Sequence, residues 1–196
     1  MKTIIKSFLS AVALFFFVSS PSIAQSRFGV SAGANFSDVV GDESSDNIMK
    51  IGFHAGLDAE FSINDRYSIA PSVLYTVKGT RSKEFTDLSV NINYIEVPLA
   101  IKYETNGGFG FWIGPYFGIL TSATLKYDNE DTDVSKDFND LDAGVKLGIG
   151  YRMKNGLGVY TNYALGITNI DHFDNADLEN QNSVFGLGLS YLISTK

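Results

Sequence analysis

The feature that most constrains this chain is a period of two in its apolar residues. Between residues 141 and 153 every odd position is apolar or aromatic, and every even position is glycine or a charged residue. Successive side chains of a strand point to opposite faces, so the pattern predicts a strand with one apolar face. No apolar run of about 18 residues follows residue 24, so a membrane could be crossed only with strands.

The same alternation recurs in seven other segments, which predicts eight strands. Their connections alternate between short and long, as in barrels with short periplasmic turns and long outer loops. We therefore predict an all-β fold, an eight-stranded antiparallel up-and-down transmembrane β-barrel with both termini on the periplasmic side. The predicted strands are residues 28–36, 51–61, 67–78, 90–103, 109–120, 141–153, 157–168 and 184–193. The long connections are residues 37–49, 79–89, 122–138 and 169–181, and the short ones are 63–66, 105–108 and 154–156.

Two kinds of irregularity are expected within these strands. In the fourth strand the parity of the apolar positions changes after Tyr94, and a β-bulge near that residue would explain the change. Pro71, Pro98 and Pro115 each remove a hydrogen bond of a ladder, so the pairing should be locally disturbed at each of them.

The aromatic residues separate a membrane barrel from a soluble barrel of the lipocalin type, which also has eight alternating strands. Aromatic side chains stand at both edges of the apolar face, as in the two interfacial belts of a lipid-facing barrel. We therefore predict an outer-membrane location. The edge near the short turns carries Phe28, Phe61, Tyr67, Tyr103, Phe109, Tyr151 and Tyr191, and the other edge carries Phe36, Phe53, Tyr75, Phe117 and Phe185.

The first 24 residues are predicted to be a cleaved secretory signal. Lys2 and Lys6 precede an apolar run over residues 8–18, and the small residues Ser22 and Ala24 form a small-x-small motif before the expected cleavage site. The mature domain is then residues 25–196, and loss of the two lysines changes the formal charge from −7 to −9. Nucleic acid is not an expected partner, because its phosphates require clustered Lys and Arg.

The polar face of the predicted strands brings charges of both signs into the barrel. Two interpretations stay open, a path for protons or ions and a closed plug of ion pairs. Mixed signs favour the plug, and Trp112, Tyr116 and Tyr160 should help to fill the narrow lumen of eight strands. We expect Glu96 and Lys146 to pair at mid-height. The predicted interior polar network is His54, Asp58, Glu60, Lys78, Glu96, Lys102, Asp142, Lys146 and Arg152.

No cofactor, metal site or catalytic residue is expected. The acidic run at residues 128–133 lacks the glycine of an EF-type calcium loop, because Val134 occupies that position, and weak binding of divalent cations stays an alternative. His172 lies among acidic residues of the last long connection, and His54 should point into the lumen. A lipid-modifying or proteolytic enzyme is therefore only the second alternative.

Three stretches of the chain resemble the PorT-like outer-membrane β-barrel family. They are NYIEVPLAIKY at residues 93–103, GPYFG at residues 114–118, and the segment that begins with DAG at residue 142 and ends with NI at residue 170. Tyr-x-Glu-x-Pro-Leu at residues 94–99 is the most specific part. The resemblance spans essentially the whole mature chain and implies an outer-membrane barrel. One branch of the family is associated with protein secretion, and no catalytic residues come with it.

The acidity of the long connections suggests an interaction surface outside the cell. They hold 15 of the 22 acidic residues. Expected partners are outer-membrane lipid and other envelope or secretion proteins, and the barrel itself should be monomeric or weakly associated. The sequence favours a binding, structural or secretion-associated component, and a small-solute pore is the first alternative.

Overall fold

All eight predicted strands are present in the structure. This computed structural model describes residues 26–41, 47–84, 88–128, 130–170 and 180–194. Within these ranges the strands are β1 (Ser26–Gly41), β2 (Asn47–Ser62), β3 (Tyr67–Ser82), β4 (Ser89–Glu104), β5 (Phe109–Tyr127), β6 (Glu130–Asp133), β7 (Leu141–Arg152), β8 (Leu157–Gly166) and β9 (Asn180–Ser194).

The strands form one closed antiparallel barrel. Each long strand pairs with its neighbours in the chain, and β1 pairs with β9 from Arg27 opposite Ser194 to Gly41 opposite Asn180. Closure leaves no free edge among the eight long strands, which a sheet in lipid requires. The short β6 stands outside this ring and pairs only with the end of β5. The predicted fold class is therefore confirmed.

The strands extend further at the outer end than the alternation predicted. The prediction of one long loop at residues 122–138 is wrong, because β5 continues to Tyr127 and forms a hairpin with β6. A 3₁₀ turn at Ser135–Asp137 follows the hairpin. The ladder satisfies backbone groups of this segment, and Val134 and Phe138 find apolar neighbours inside the barrel mouth.

The expected irregularity near Tyr94 exists, but its extra residue lies in the facing strand. Asn93 pairs with Ser122 and Tyr94 pairs with Leu120, so Thr121 of β5 has no opposite residue. The Thr121 hydroxyl donates a hydrogen bond to the Asn93 carbonyl at 2.9 Å. The inferred change of parity in β4 is wrong, because Tyr94 and Glu96 are both buried on the inward face. The apolar residues before Tyr94 face inward because the outer end of the lumen is apolar.

The prolines interrupt pairing without changing the register. The β3–β4 ladder runs to Pro71 opposite Leu99 and resumes at Leu74 opposite Glu96. The β4–β5 ladder is likewise interrupted between Pro98 and Ile101, the stretch that faces Pro115. The expected disturbance at the three prolines is a gap in hydrogen bonding, as the missing N–H requires.

The outer surface carries two belts of paired aromatic rings. Near the short turns the Tyr67–Tyr103 and Phe109–Tyr151 ring centroids are 5.2 and 4.9 Å apart. Toward the outer end Phe36 lies 6.2 Å from Phe185. Exposed aliphatic side chains cover the wall between the belts, which is the surface expected to face lipid. In the described ranges no helix has the length and apolar character needed to cross a membrane.

Candidate functional site: the barrel interior

Four charged side chains form a buried cluster in the outer half of the lumen, named here the outer ion cluster: Lys78, Glu96, Asp142 and Lys146. Lys78 Nζ lies 2.7 Å from Glu96 and 2.9 Å from Asp142, and Lys146 donates to the other oxygen of Glu96. Gly118 lies between the two carboxylates, because it is paired with Glu96 on one side and with Asp142 on the other. Two cations thus face two anions, so the cluster is neutral and its charges are compensated.

Aromatic and amide side chains complete the surroundings of Lys78 and Asp142. The ammonium of Lys78 lies 4.4 Å from the centroid of the Tyr116 ring, within the range of a cation–π contact. The Tyr116 hydroxyl donates to Asp142 at 3.2 Å, and the Asn182 amide donates to the same carboxylate at 3.0 Å. Asn182 was not among the predicted interior residues, although it shares the inward parity of Val184 and Gly186 on β9.

An apolar layer, named here the outer seal, lies beyond this cluster. The connection between β6 and β7 covers the mouth of the barrel. Its Val134 amide donates to the Ala123 carbonyl at 3.0 Å, and its Asn139 amide donates to the Ile170 carbonyl at 2.8 Å. The seal separates the buried charges from the outer solvent. Its buried members are Val39, Ile92, Tyr94, Leu120, Ala123 and Ile170, and Val90, Val134 and Phe138 pack against them.

A second group of charges, named here the inner ion cluster, lies at the periplasmic end: Arg27, Glu60, Lys102, Glu104 and Arg152. Glu60 accepts from Arg27 at 2.7 Å, from Lys102 at 3.0 Å and from Arg152 at 3.1 Å. Glu104 lies 2.9 Å from Lys102 and also binds Arg152.

Sequence reasoning missed Arg27 and Glu104 because the predicted strands began at residue 28 and ended at residue 103. Both residues have inward parity, the first with Gly29 and the second with Lys102. Extending each predicted strand by one residue would have found them.

His54 lies between the two ion clusters and uses both ring nitrogens. The Asn35 amide group donates to Thr76 at 2.9 Å, so its oxygen faces His54 Nδ1 at 2.7 Å, and Nδ1 is the donor of that bond. His54 Nε2 then accepts from the Tyr160 hydroxyl at 2.6 Å. Both ring nitrogens of His54 are therefore engaged in hydrogen bonds within the barrel.

The periplasmic half of the lumen contains a cavity of about 150 Å³, named here the inner cavity. The expectation that side chains leave little room for water is wrong for this half of the barrel. Part of the wall is glycine, with Gly110, Gly150 and Gly158 on neighbouring strands, and glycine has no side chain to fill the space. His54, Glu60 and the remaining predicted residue, Asp58, also line this cavity. Asp58 accepts from Ser72 at 2.6 Å.

The acidic run in the outer hairpin is held by short-range bonds. Lys126 pairs with Asp131 at 3.1 Å. The Ser135 hydroxyl donates to Asp133 at 2.6 Å, and this bond, with a second from the Ser135 amide, lowers the pKa of Asp133. Among the described residues no group of three or more His, Asp or Glu is arranged to hold a metal ion. His172 lies outside the described residues.

A closed eight-stranded barrel with lipid-facing aromatic belts and a polar interior defines this chain as an outer-membrane β-barrel protein. Residues 20–172 match the family described as outer membrane protein beta-barrel domain, which is more than half of the chain. The chain therefore belongs to that family, and its location is the outer membrane. The more specific PorT-like resemblance is not part of this result.

Solved structures of two bacterial surface proteins have a similar fold. Neisserial surface protein A is 15% identical, with a TM-score of 0.59 over 84% of this chain and 96% of that protein. Ail, the attachment invasion locus protein of Yersinia pestis, is 14% identical, with a TM-score of 0.53 over 85% of this chain and 98% of Ail. At these identities the similarity concerns the fold alone. No curated protein matches the sequence.

Proposed function

We propose that this protein is a closed barrel whose outer hairpins carry its function as a binding or structural component of the outer membrane. The observation that supports the proposal is the combination of the outer seal with the outer ion cluster. Lys78, Glu96 and Asp142 are almost completely buried in it. A solute crossing this layer would have to separate buried ion pairs, and a buried charge left without its partner is destabilising by about 3–5 kcal/mol.

The partner class that we propose is another envelope protein, in particular a component of protein secretion. Support comes from the resemblance of residues 93–103, 114–118 and 142–170 to PorT-like barrels, one branch of which is associated with secretion. Asp128, Glu130, Asp131 and Asp133 are exposed in the outer hairpin, where Lys126 is the neighbouring base, so the hairpin provides a net negative surface for a basic partner. Outer-membrane lipid is the second proposed partner and contacts the aromatic belts. The barrel is proposed to be monomeric.

We propose no catalytic activity. The only histidine among the described residues, His54, has both ring nitrogens in hydrogen bonds to Asn35 and Tyr160. These partners are an amide and a phenol, so neither ring nitrogen is left to activate a serine or threonine hydroxyl as a hydrolytic nucleophile.

Crosslinking from introduced cysteines tests the proposed surface. The chain contains no cysteine, so Thr132→Cys in the outer hairpin and Asn155→Cys in a periplasmic turn each provide one unique site. We expect a discrete protein adduct from Thr132→Cys in native outer membranes and none from Asn155→Cys. An adduct from the periplasmic position alone, or from neither, would contradict an outer protein-binding surface.

The small-solute pore is the second candidate, and the inner cavity is the observation that favours it. Planar-bilayer recording separates the two functions. We expect no steady single-channel conductance from the wild-type barrel, because the outer seal closes the lumen. Steady conductance would establish the pore in place of the closed barrel.

A further inference from the structure

The inner cavity contains one carboxylate without a cation. Three carboxylates line this cavity together with Lys102, Lys146 and Arg152. Each of these bases pairs with a glutamate, and Glu60 and Glu104 belong to the inner ion cluster. Asp58 forms no ion pair with any described residue; one of its oxygens accepts from Ser72, and the other is buried without a hydrogen-bond partner in the described part of the chain. A buried carboxylate oxygen left in this way is costly unless a donor or a cation reaches it.

Aromatic rings stand beside this carboxylate. Trp112 and Tyr160 both line the inner cavity, and their ring centroids are 6.0 Å apart in an edge-to-face arrangement. Asp58 lines the same cavity as both rings. His54 fixes the Tyr160 hydroxyl at 2.6 Å, which holds that ring in place. Aromatic faces next to a carboxylate are the surroundings that bind organic ammonium groups in proteins.

We infer that the inner cavity binds a small organic cation, with Asp58 as its counter-ion and Trp112 and Tyr160 as its aromatic walls. A cavity of about 150 Å³ is large enough for one benzene ring, so the ligand is limited to a molecule of about that size. Leu74 and Pro98 supply apolar surface beside the polar groups. An organic cation is the better occupant, because Trp112 and Tyr160 line the cavity and no group of three or more His, Asp or Glu among the described residues is arranged to hold a metal ion.

Access to the site is from the periplasm. The outer seal closes the lumen on the other side, whereas a second cavity between the short turns shares Glu104, Gly108 and Arg152 with the inner cavity. The inferred site is therefore a blind pocket that a solute enters and leaves by the same route. It is distinct from the proposed outer surface, and either can fail without the other.

Fluorescence titration of the refolded mature barrel in detergent tests the inference. Trp112 is the only tryptophan of the chain and lines the cavity, so its emission reports occupancy directly. The probes are benzylamine, benzyl alcohol and benzoate, which share one ring and differ in charge. We expect a saturable change of Trp112 emission with benzylamine and at least about tenfold weaker affinity for the other two probes. Asp58→Asn should lose this preference for benzylamine.

Two further variants separate binding from misfolding. Asp128→Asn makes the same chemical change at an exposed position with φ 45°, which Asn tolerates, and should bind benzylamine as the wild type does. Ala70→Leu adds apolar volume to the cavity wall while keeping Asp58, and should weaken the binding of benzylamine. This variant tests the site even if Asp58→Asn does not fold. Equal responses to benzylamine and benzyl alcohol, an unchanged preference in Asp58→Asn, or unchanged binding in Ala70→Leu would overturn the inference.

Discussion

Replacement of Lys78 by Met should strongly destabilise the barrel. Its side chain is 1% exposed, and its ammonium lies 2.7 Å from Glu96 and 2.9 Å from Asp142. Met preserves most of the apolar stem but leaves two buried carboxylates with less compensation. Glu96 keeps Lys146, and Asp142 keeps its bonds from Tyr116 and Asn182, so the expected loss is that of one broken buried pair, about 3–5 kcal/mol.

A double-mutant cycle with Asp142→Asn, read by urea unfolding of the refolded barrel, measures this effect. We expect the double variant Lys78→Met/Asp142→Asn to lose less free energy of unfolding than the sum of the two single variants, because no charge is left without its partner. Lys126→Met is the matched control, since its pair with Asp131 is exposed and should contribute at most about 1 kcal/mol.

Two results would refute this reasoning. Strictly additive losses in the cycle would show that Lys78 and Asp142 do not interact energetically. A loss for Lys78→Met no larger than that for Lys126→Met would show that burial of the pair has no energetic consequence. Lys146→Met should fall between them, because Lys146 is 15% exposed and Glu96 would keep Lys78.

Three other predictions follow from the lumen, the loops and the signal. Gly148→Ala would place its Cβ 2.4 Å from the Trp112 ring, so we expect the free energy of unfolding to fall by about 1–3 kcal/mol in the same assay. Gly107→Ala, in an open turn, should leave it unchanged, and equal effects of the two variants would contradict the packing argument. A lysine-specific protease added to intact cells should cut at the exposed Lys136 in the outer segment, whereas cleavage at the exposed Lys154 of a periplasmic turn without cleavage at Lys136 would mean that the barrel is inverted. Mass spectrometry of the mature protein should find a chain that begins after residue 24, and retention of residues 1–24 would disprove the cleaved signal.

The sequence determined the barrel because its signals are local. Alternation assigns each residue of a strand to one face, as for Leu147 outside and Lys146 inside, and the lengths of the connections set the antiparallel order. The same parity brought the nine predicted polar residues to the interior. Aromatic residues at both ends of the strands indicated the membrane, since only the lipid interface requires rings at two separate heights.

Only the tertiary structure decided which of these charges meet. The sequence predicted the pair of Glu96 with Lys146 but could not show that Lys78 binds both Glu96 and Asp142, because strand tilt and the bulge at Thr121 set the relative heights of strands far apart in the chain. The apolar parity of β4 was equally ambiguous. An apolar residue in the sequence can face either the lipid or the apolar mouth of the lumen, and the sequence does not distinguish the two. Only the folded structure shows that Ile92 and Tyr94 are buried inside the barrel, in the outer seal. The inner cavity is likewise a tertiary property, since it depends on how glycines of several strands come together around one volume.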